Sequence, residues 1–369
     1  MGGIAAHVKC LTESLPPDVE RYVIGIGGDE EFAGRNGHDI REWFQIRRVI
    51  KTFKPDVVHF HIPNLVMALY LRVRTLKPSN PQTLKLSNPQ TLEPSNPQTF
   101  SLVCSWHTPT NRKLGLGQRL FFWLLGKDCY YLPVSTPTWE GLKRCLPWAK
   151  GEVFFNSIRI EGSKVREFES SKVKPSNLRT FELSNFIVGM VGRNADVKDW
   201  PSFHRVEEIV RGKVREFEGL RVRGFEGLKV EELKSAEIAG GVEFLNAGEK
   251  EVCNGREAIA KMDLFMMTSK HEQLPTTLLE CFALGTPVCG FLPDGGTSDI
   301  LGFSNGPVRE AFIRERSCEK LADVVLDLMA HPEKRQALVD DGRQILLNHF
   351  DAEKNCRERL MRVYEGLRV

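Results

Sequence analysis

Short apolar runs recur along the chain, each bounded by turn residues and followed by a mixed stretch of helical character. Val57-Val58-His59-Phe60-His61 follows Lys54-Pro55-Asp56 and reads as a buried strand. Residues 102–107 read as a second strand, stopped by Pro109, and residues 131–135 as a weaker third before a helix from about Thr138 to Cys145. The pattern restarts at residues 186–192 and continues at 242–245, 264–267 and 288–291, with helical segments between. Strands alternating with helices are the mark of parallel sheets covered by helices. The expected fold class is therefore α/β with two Rossmann-like domains: residues 1–160, a linker at 161–185, a second domain at 186–348 and a C-terminal helix at 349–369.

Three stretches interrupt this pattern. Ser-Asn-Pro-Gln-Thr begins at Ser79, Ser87 and Ser95, a composition too rich in Pro and Asn to pack, so residues 78–98 read as a low-complexity insertion. The string Lys164 to Glu169 returns verbatim at Lys213 to Glu218, and Glu218 to Val222 returns at Glu365 to Val369. Identical strings in unrelated contexts cannot all serve one site, so none is assigned chemistry. The first copy falls in the linker, and the second, in an insertion at 212–235, extends a surface helix.

Composition narrows the classes. A hydrophobic content of 41% with 27% charged residues belongs to a globular chain, and a net charge of +3 gives no reason to expect a nucleic-acid partner. Nine scattered cysteines without a C-x-x-C pair argue against a disulfide framework or zinc knuckle and point to a reducing, cytoplasmic setting. The chain opens at Met1-Gly2-Gly3-Ile4 without the features of a signal peptide, and no uncharged run reaches the roughly 18 residues of a spanning helix.

The densest chemistry lies between Ser269 and Val288. A strand ends in a short loop holding Glu272, and a helix from about Thr276 to Leu284 closes on Gly285. Backbone N–H groups near Leu274, Pro275 and Thr276 can receive a diphosphate at that helix start. Glu272 and Glu280 flank the anion site as hydrogen-bond acceptors, suited to a sugar and a ribose; spacing alone leaves a loop charge and an exposed helix residue equally open. Arg193 and Lys198 follow the first strand of the second half, where cations can offset a departing diphosphate or be simple solvated charges. His107 ends a strand of the first half and could bond a sugar hydroxyl. His59 and His61 share one strand face but lack a neighbouring Cys or carboxylate, so His61 reads as lining a crevice and no metal is expected. Gly2 and Gly3, which lack a Cβ, would permit close backbone approach to a bound ligand. Basic and aromatic residues from Arg112 to Lys127 read as a packed surface helix, with a peripheral contact on an anionic membrane as the alternative.

Glu272 to Glu280 resembles the E-x7-E signature of the retaining family 4 glycosyltransferases, also called group 1, which have the GT-B fold. Leu274-Pro275, Leu278-Leu279-Glu280 and Gly285-Thr286-Pro287-Val288 match its surroundings, and Gly2-Gly3-Ile4-Ala5-Ala6-His7-Val8 is similar to its first glycine-rich loop. The resemblance implies two domains facing across a cleft and transfer of a sugar, with retention, from a nucleotide-diphosphate donor to a saccharide or lipid-linked acceptor. It implies that Arg193 and Lys198 replace a metal, that Glu272 and His107 orient the sugar, and that Glu280 binds ribose. Ser157 and Asp299 stand where the family usually has Gly and often has Glu. A strand normally precedes the glycine loop, so the first domain is expected to lack its N-terminal strand. A nucleotide-binding remnant impaired in catalysis, or a related sugar-nucleotide epimerase or phosphorylase, are the competing readings.

Overall fold

Strand parity decides how the first sheet is covered. In the computed structural model, which describes residues 3–23, 40–61, 65, 68–69, 72, 100–107, 114–160, 185–222, 241–249 and 254–367, strands β1 (Val57–Phe60), β2 (Ser101–Trp106), β3 (Cys129–Pro133) and β4 (Lys150–Gly151) form a parallel sheet in that order. Val58 pairs with Leu102 and Leu102 with Cys129, while Phe60 pairs with Cys104 and Cys104 with Tyr131. Because successive side chains point to opposite faces, this set shares one face with Trp106. It packs with Ile46 and Ile50 of helix α2 (Ile40–Phe53), Phe121, Phe122, Leu124 and Leu125 of α3 (Leu116–Leu125), and Leu142 of α4 (Thr136–Cys145). The other face carries Val103 and Leu132. Leu11 of α1 (Gly3–Ser14), Phe154, Cys356 and Leu360 cover it. Both faces are buried, which is why these strands read as nearly continuous apolar runs rather than alternating ones.

The chain forms two compact units. One comprises Met1–Phe154 and Cys356–Val369, and the other Phe155–Asn355. Among the described residues no strand precedes α1. The string around Gly3, expected as a glycine-rich loop, is helical from Gly3 onward, so Gly3 offers no open turn. Gly2, Arg112, the 78–98 insertion, linker residues 161–184 and residues 223–235 lie outside the described residues. The second copy of the repeat falls inside helix α5 (Trp200–Val222), where Val214 continues the buried stripe of Phe203, Val206 and Val210. Helix α4 begins at Thr136, two residues before the expected start, because the Ser135 hydroxyl accepts the Thr138 N–H at 3.4 Å and caps it.

The second unit holds a parallel sheet in the order β11-β9-β7-β5-β6, made of β5 (Phe186–Val191), β6 (Val242–Ala247), β7 (Leu264–Met267), β9 (Val288–Phe291) and β11 (Phe312–Ile313). The chain passes from β5 to β6 on one side and then returns to β7 on the other, so the strand order reverses at β5. Doubly wound sheets bind ligands at the carboxyl ends of the strands at such a reversal. No described helix is long and apolar enough to cross a membrane, and none of the described cysteines forms a disulfide.

Candidate functional site

Two loops leave the sheet at the reversal point, and hydrogen bonds fasten one to the other. The loop after β5 folds into a 3-10 turn, Asp196–Lys198, and Asp199 follows in the left-handed region at φ 53°. Beyond the end of β7, the Thr268 hydroxyl donates to the carbonyl of Lys198 at 3.0 Å, and the Lys270 N–H donates to that of Val197 at 2.7 Å. A Cβ on Gly192 would sit 3.1 Å from Cδ of Lys198, so the glycine leaves room for the lysine stem along the backbone. Lys198 is thereby aimed at the next short strand, β8 (His271–Glu272), and its Nζ lies 2.5 Å from Oε1 of Glu272. Both side chains are largely sheltered, at 18% and 14% exposure, so water weakens this pair less than a surface one.

Glu272 is held by its backbone. Strand β8 pairs in parallel with β10 (Asp294–Gly295), and the Gly296 N–H donates to the Glu272 carbonyl at 2.8 Å. Gly295 has φ +108°, and a Cβ there would lie 2.1 Å from that carbonyl oxygen, so this position requires glycine. Helix α7 (Thr276–Leu284) follows with Pro275 as N-cap and no capping side chain, and it ends on Gly285 in the left-handed region at φ 68°. Leu274 and Pro275 are buried, Leu274 within the hydrophobic core, so backbone rather than side chain is what they present near the helix start. Thr276 is partly exposed. Glu280, one turn further on, is partly buried. Burial pushes its carboxyl above the usual glutamate range, and Arg256 of α6 (Gly255–Ile259) opposes that rise.

Of the residues singled out from sequence, Lys198 and Glu272 are thus in direct contact on the second unit, which also carries Arg193 and Glu280. Arg193 is exposed; its carbonyl accepts the Trp200 indole N–H at 3.2 Å, and its guanidinium has no partner among the described residues. Sequence reading missed Asp199 and Arg316. The buried Asp199 carboxylate accepts the Arg316 guanidinium at 2.6 Å and the Ser202 hydroxyl at 2.8 Å, and Lys270 lies 3.5 Å away. Burial alone would raise its pKa; Ser202, Arg316 and Lys270 together hold it below the ordinary value. Arg316 also donates to the carbonyls of Thr268 and Ser269 at 2.6 and 3.1 Å and lies over the Phe291 ring. Arg316 stands 117 positions beyond Asp199, and no local pattern could have linked the two.

His107 belongs to the first unit, where it sits with His61, just past β1, and His7 of α1. One ring nitrogen from each lies within 4.8 Å of one from each of the others. The neighbouring His59 is spoken for. Its Nδ1 lies 2.7 Å from the Tyr364 hydroxyl and its Nε2 2.9 Å from that of Ser105, so both of its ring nitrogens are occupied. His7 escaped notice because the string around it reads as a loop. Its place one turn before the buried Leu11 is the signal that was available. Burial lowers every one of these imidazoles, His107 to about 4 and His59 to about 3, so all are neutral at pH 7. Helix α3 meanwhile carries Leu116, Leu120 and Trp123 outward, at 86%, 47% and 69% exposure, four and three residues apart on one face.

Comparison with known proteins adds three findings. Residues 222–345 match the family model described as glycosyl transferases group 1, a span that includes Glu272, Leu274 to Thr276 and Glu280 but not Arg193, Lys198 or His107. No curated protein matches the chain. Among solved structures, the fold is similar to that of HepE from Anabaena in complex with UDP-glucose (14% identity, 87% of this chain and 82% of that one, TM-score 0.53). It is also similar to a glycosyltransferase from Rickettsia africae (13%, 90% and 83%, TM-score 0.59) and to sucrose-phosphate synthase from Thermosynechococcus elongatus (14%, 89% and 77%, TM-score 0.53). The second unit's residues 222–345 therefore carry the group 1 glycosyl transferase pattern, on an α/β chain with the two Rossmann-like folds of GT-B glycosyltransferases.

Proposed function

We propose that this chain is a retaining, metal-independent family 4 glycosyltransferase that moves a hexosyl group from a nucleotide-diphosphate sugar to a saccharide or lipid-linked acceptor. The observation that carries the reading is the sheltered Lys198–Glu272 pair at the strand-order reversal, beside a helix start without a capping side chain. Helix-start N–H groups and the dipole favour an anion there, which suits a diphosphate. As the sugar–phosphate bond breaks, negative charge grows on the leaving diphosphate, and Arg193 and Lys198 stabilise that charge more than the ground state. Glu272 holds Lys198 in place and accepts hydroxyls of the donor sugar. Glu280 accepts ribose hydroxyls, and His107, a neutral imidazole, bonds a hydroxyl of the transferred sugar on the strength of the family resemblance. The outward stripe Leu116, Leu120 and Trp123 beside Arg119 suits peripheral contact with an anionic membrane presenting a lipid-linked acceptor.

The test is release of free nucleotide diphosphate from a panel of UDP-, GDP- and ADP-sugars, each with and without glycan or lipid-linked acceptors, together with the anomeric configuration of the product. Acceptor-dependent release with a retained anomer supports the reading. An inverted product refutes retention. UDP binding with no turnover on any pair would leave the chain a nucleotide-binding protein only.

A further inference from the structure

Buried polar nitrogens without partners are uncommon in native proteins and call for a physical reason. Both ring nitrogens of His7, Nδ1 of His61 and Nε2 of His107 are buried with no hydrogen-bond partner among the described residues, and His7 is only 2% exposed. They come from three elements: α1 and the loops that follow two adjacent parallel strands. The His7 ring meets the other two edge to face, with centroids 5.7 Å apart for His7 and His61 and 5.3 Å for His7 and His107, while the His61 and His107 rings are tilted by 33° at 5.9 Å. Like dipoles crowded together without acceptors are unfavourable unless something between them takes the lone pairs.

We propose that His7, His61 and His107 form a binding site for a divalent transition-metal ion, with Zn²⁺ the best match to three imidazole ligands. Imidazole suits zinc and its first-row neighbours, whereas Mg²⁺ and Ca²⁺ demand oxygen ligands. Zinc–nitrogen bonds of about 2.0–2.1 Å place tetrahedral ligands roughly 3.4 Å apart. The three nitrogens, within 4.8 Å of one another, reach that spacing by modest ring rotation, which is soft at χ2. His59 flanks the set: its ring centroid lies 4.2 Å from that of His61, tilted by 30°, and it is itself fixed by Ser105 and Tyr364. Three protein ligands leave a fourth position for water. The site lies on the first unit, not on the second with the Lys198–Glu272 pair, but shares His107 with the proposed transfer, and it acts as a brake: a bound ion takes the lone pair of His107, which that transfer needs for a sugar hydroxyl. That last clause rests on the transferase reading; the site itself does not.

Competition between the full-length chain and a chromogenic chelator for Zn²⁺ tests the site without any assay of activity. One Zn²⁺ per chain is expected, with no competition from excess Mg²⁺. His7→Ala and His61→Ala should each weaken binding at least tenfold with melting temperature preserved. Should His7→Ala fail to fold, His61→Asn carries the same test, and Co²⁺ loading of wild type reports the ligand set by its visible absorption. Stoichiometric binding absent from wild type overturns the proposal. So does binding lost instead in His204→Ala, which would assign the ion to His204 and Glu249 on the second unit. Zn²⁺ should inhibit donor turnover, reversibly by chelator. Binding with turnover undiminished overturns the brake, and a chain inactive on every donor still reports on the site.

Discussion

Asp199 is the residue whose replacement should do most damage for the least change in shape. Its carboxylate holds Arg316, and the two together clamp the turn bearing Lys198 to the end of β7. Asp199→Asn keeps an oxygen for the Ser202 hydroxyl and keeps a residue that tolerates φ 53°, so what it removes is the charge. Arg316 retains the carbonyls of Thr268 and Ser269, which limits the loss to that of one charge-assisted hydrogen bond, about 2 kcal/mol. Asp199→Ala also empties the hydroxyl contact and places a Cβ-bearing residue without side-chain compensation in the left-handed region, for about 4 kcal/mol in all. At about 2–4 °C per kcal/mol in a unit of this size, the expected drops in Tm are about 4–8 °C and 8–16 °C. Differential scanning calorimetry and urea titration at pH 7 measure them. The folded-state pKa is depressed, so the carboxylate's contribution is fully present above the unfolded value, about 3.9, and is lost as pH falls through the folded one. The gap between wild type and the Asn variant should therefore close in acid. An Asn variant melting within about 1 °C of wild type, or a gap that persists undiminished below the folded pKa, would refute the clamp.

Lys198→Ala should depress kcat more than it raises KM, because diphosphate charge grows toward the transition state, while Glu280→Gln should weaken donor binding about tenfold or more with kcat less affected; matching profiles in steady-state kinetics would sink this division of roles. Wild-type affinity for UDP, read by calorimetry, should fall as pH drops through a value above the ordinary glutamate pKa, since Glu280 titrates high, and the Gln variant should lose that dependence. Arg193→Ala should slow turnover by about 10²-fold or more, with EDTA harmless to wild type and Mg²⁺ unable to rescue the variant; loss on chelation restored by Mg²⁺ would end the metal-free mechanism. Replacing Leu116, Leu120 and Trp123 with Ser should abolish sedimentation with anionic phosphatidylserine vesicles, and a wild type that fails to sediment contradicts the membrane contact. Excision of residues 78–98 should leave Tm and UDP affinity unchanged, because Pro/Asn-rich sequence buries little apolar surface; a fall of more than a few degrees counts against it.

What the sequence determined by itself was the alternation of apolar runs and helices, and with it the parallel-sheet α/β class. Strands buried on both faces need continuous apolar runs, and helix ends need residues such as Gly285, so these features are written locally. The same locality made the start of the helix between Glu272 and Glu280 legible. Lys198 could be placed just past a strand end, but its contact with Glu272 could not, since 74 positions separate them and strand order alone joins the two loops. Asp199, Arg316 and the gathering of His7 with His61 and His107 were likewise decided only by the tertiary structure. Each depends on which elements become neighbours, and that follows from burial summed over a whole unit rather than from any window of sequence.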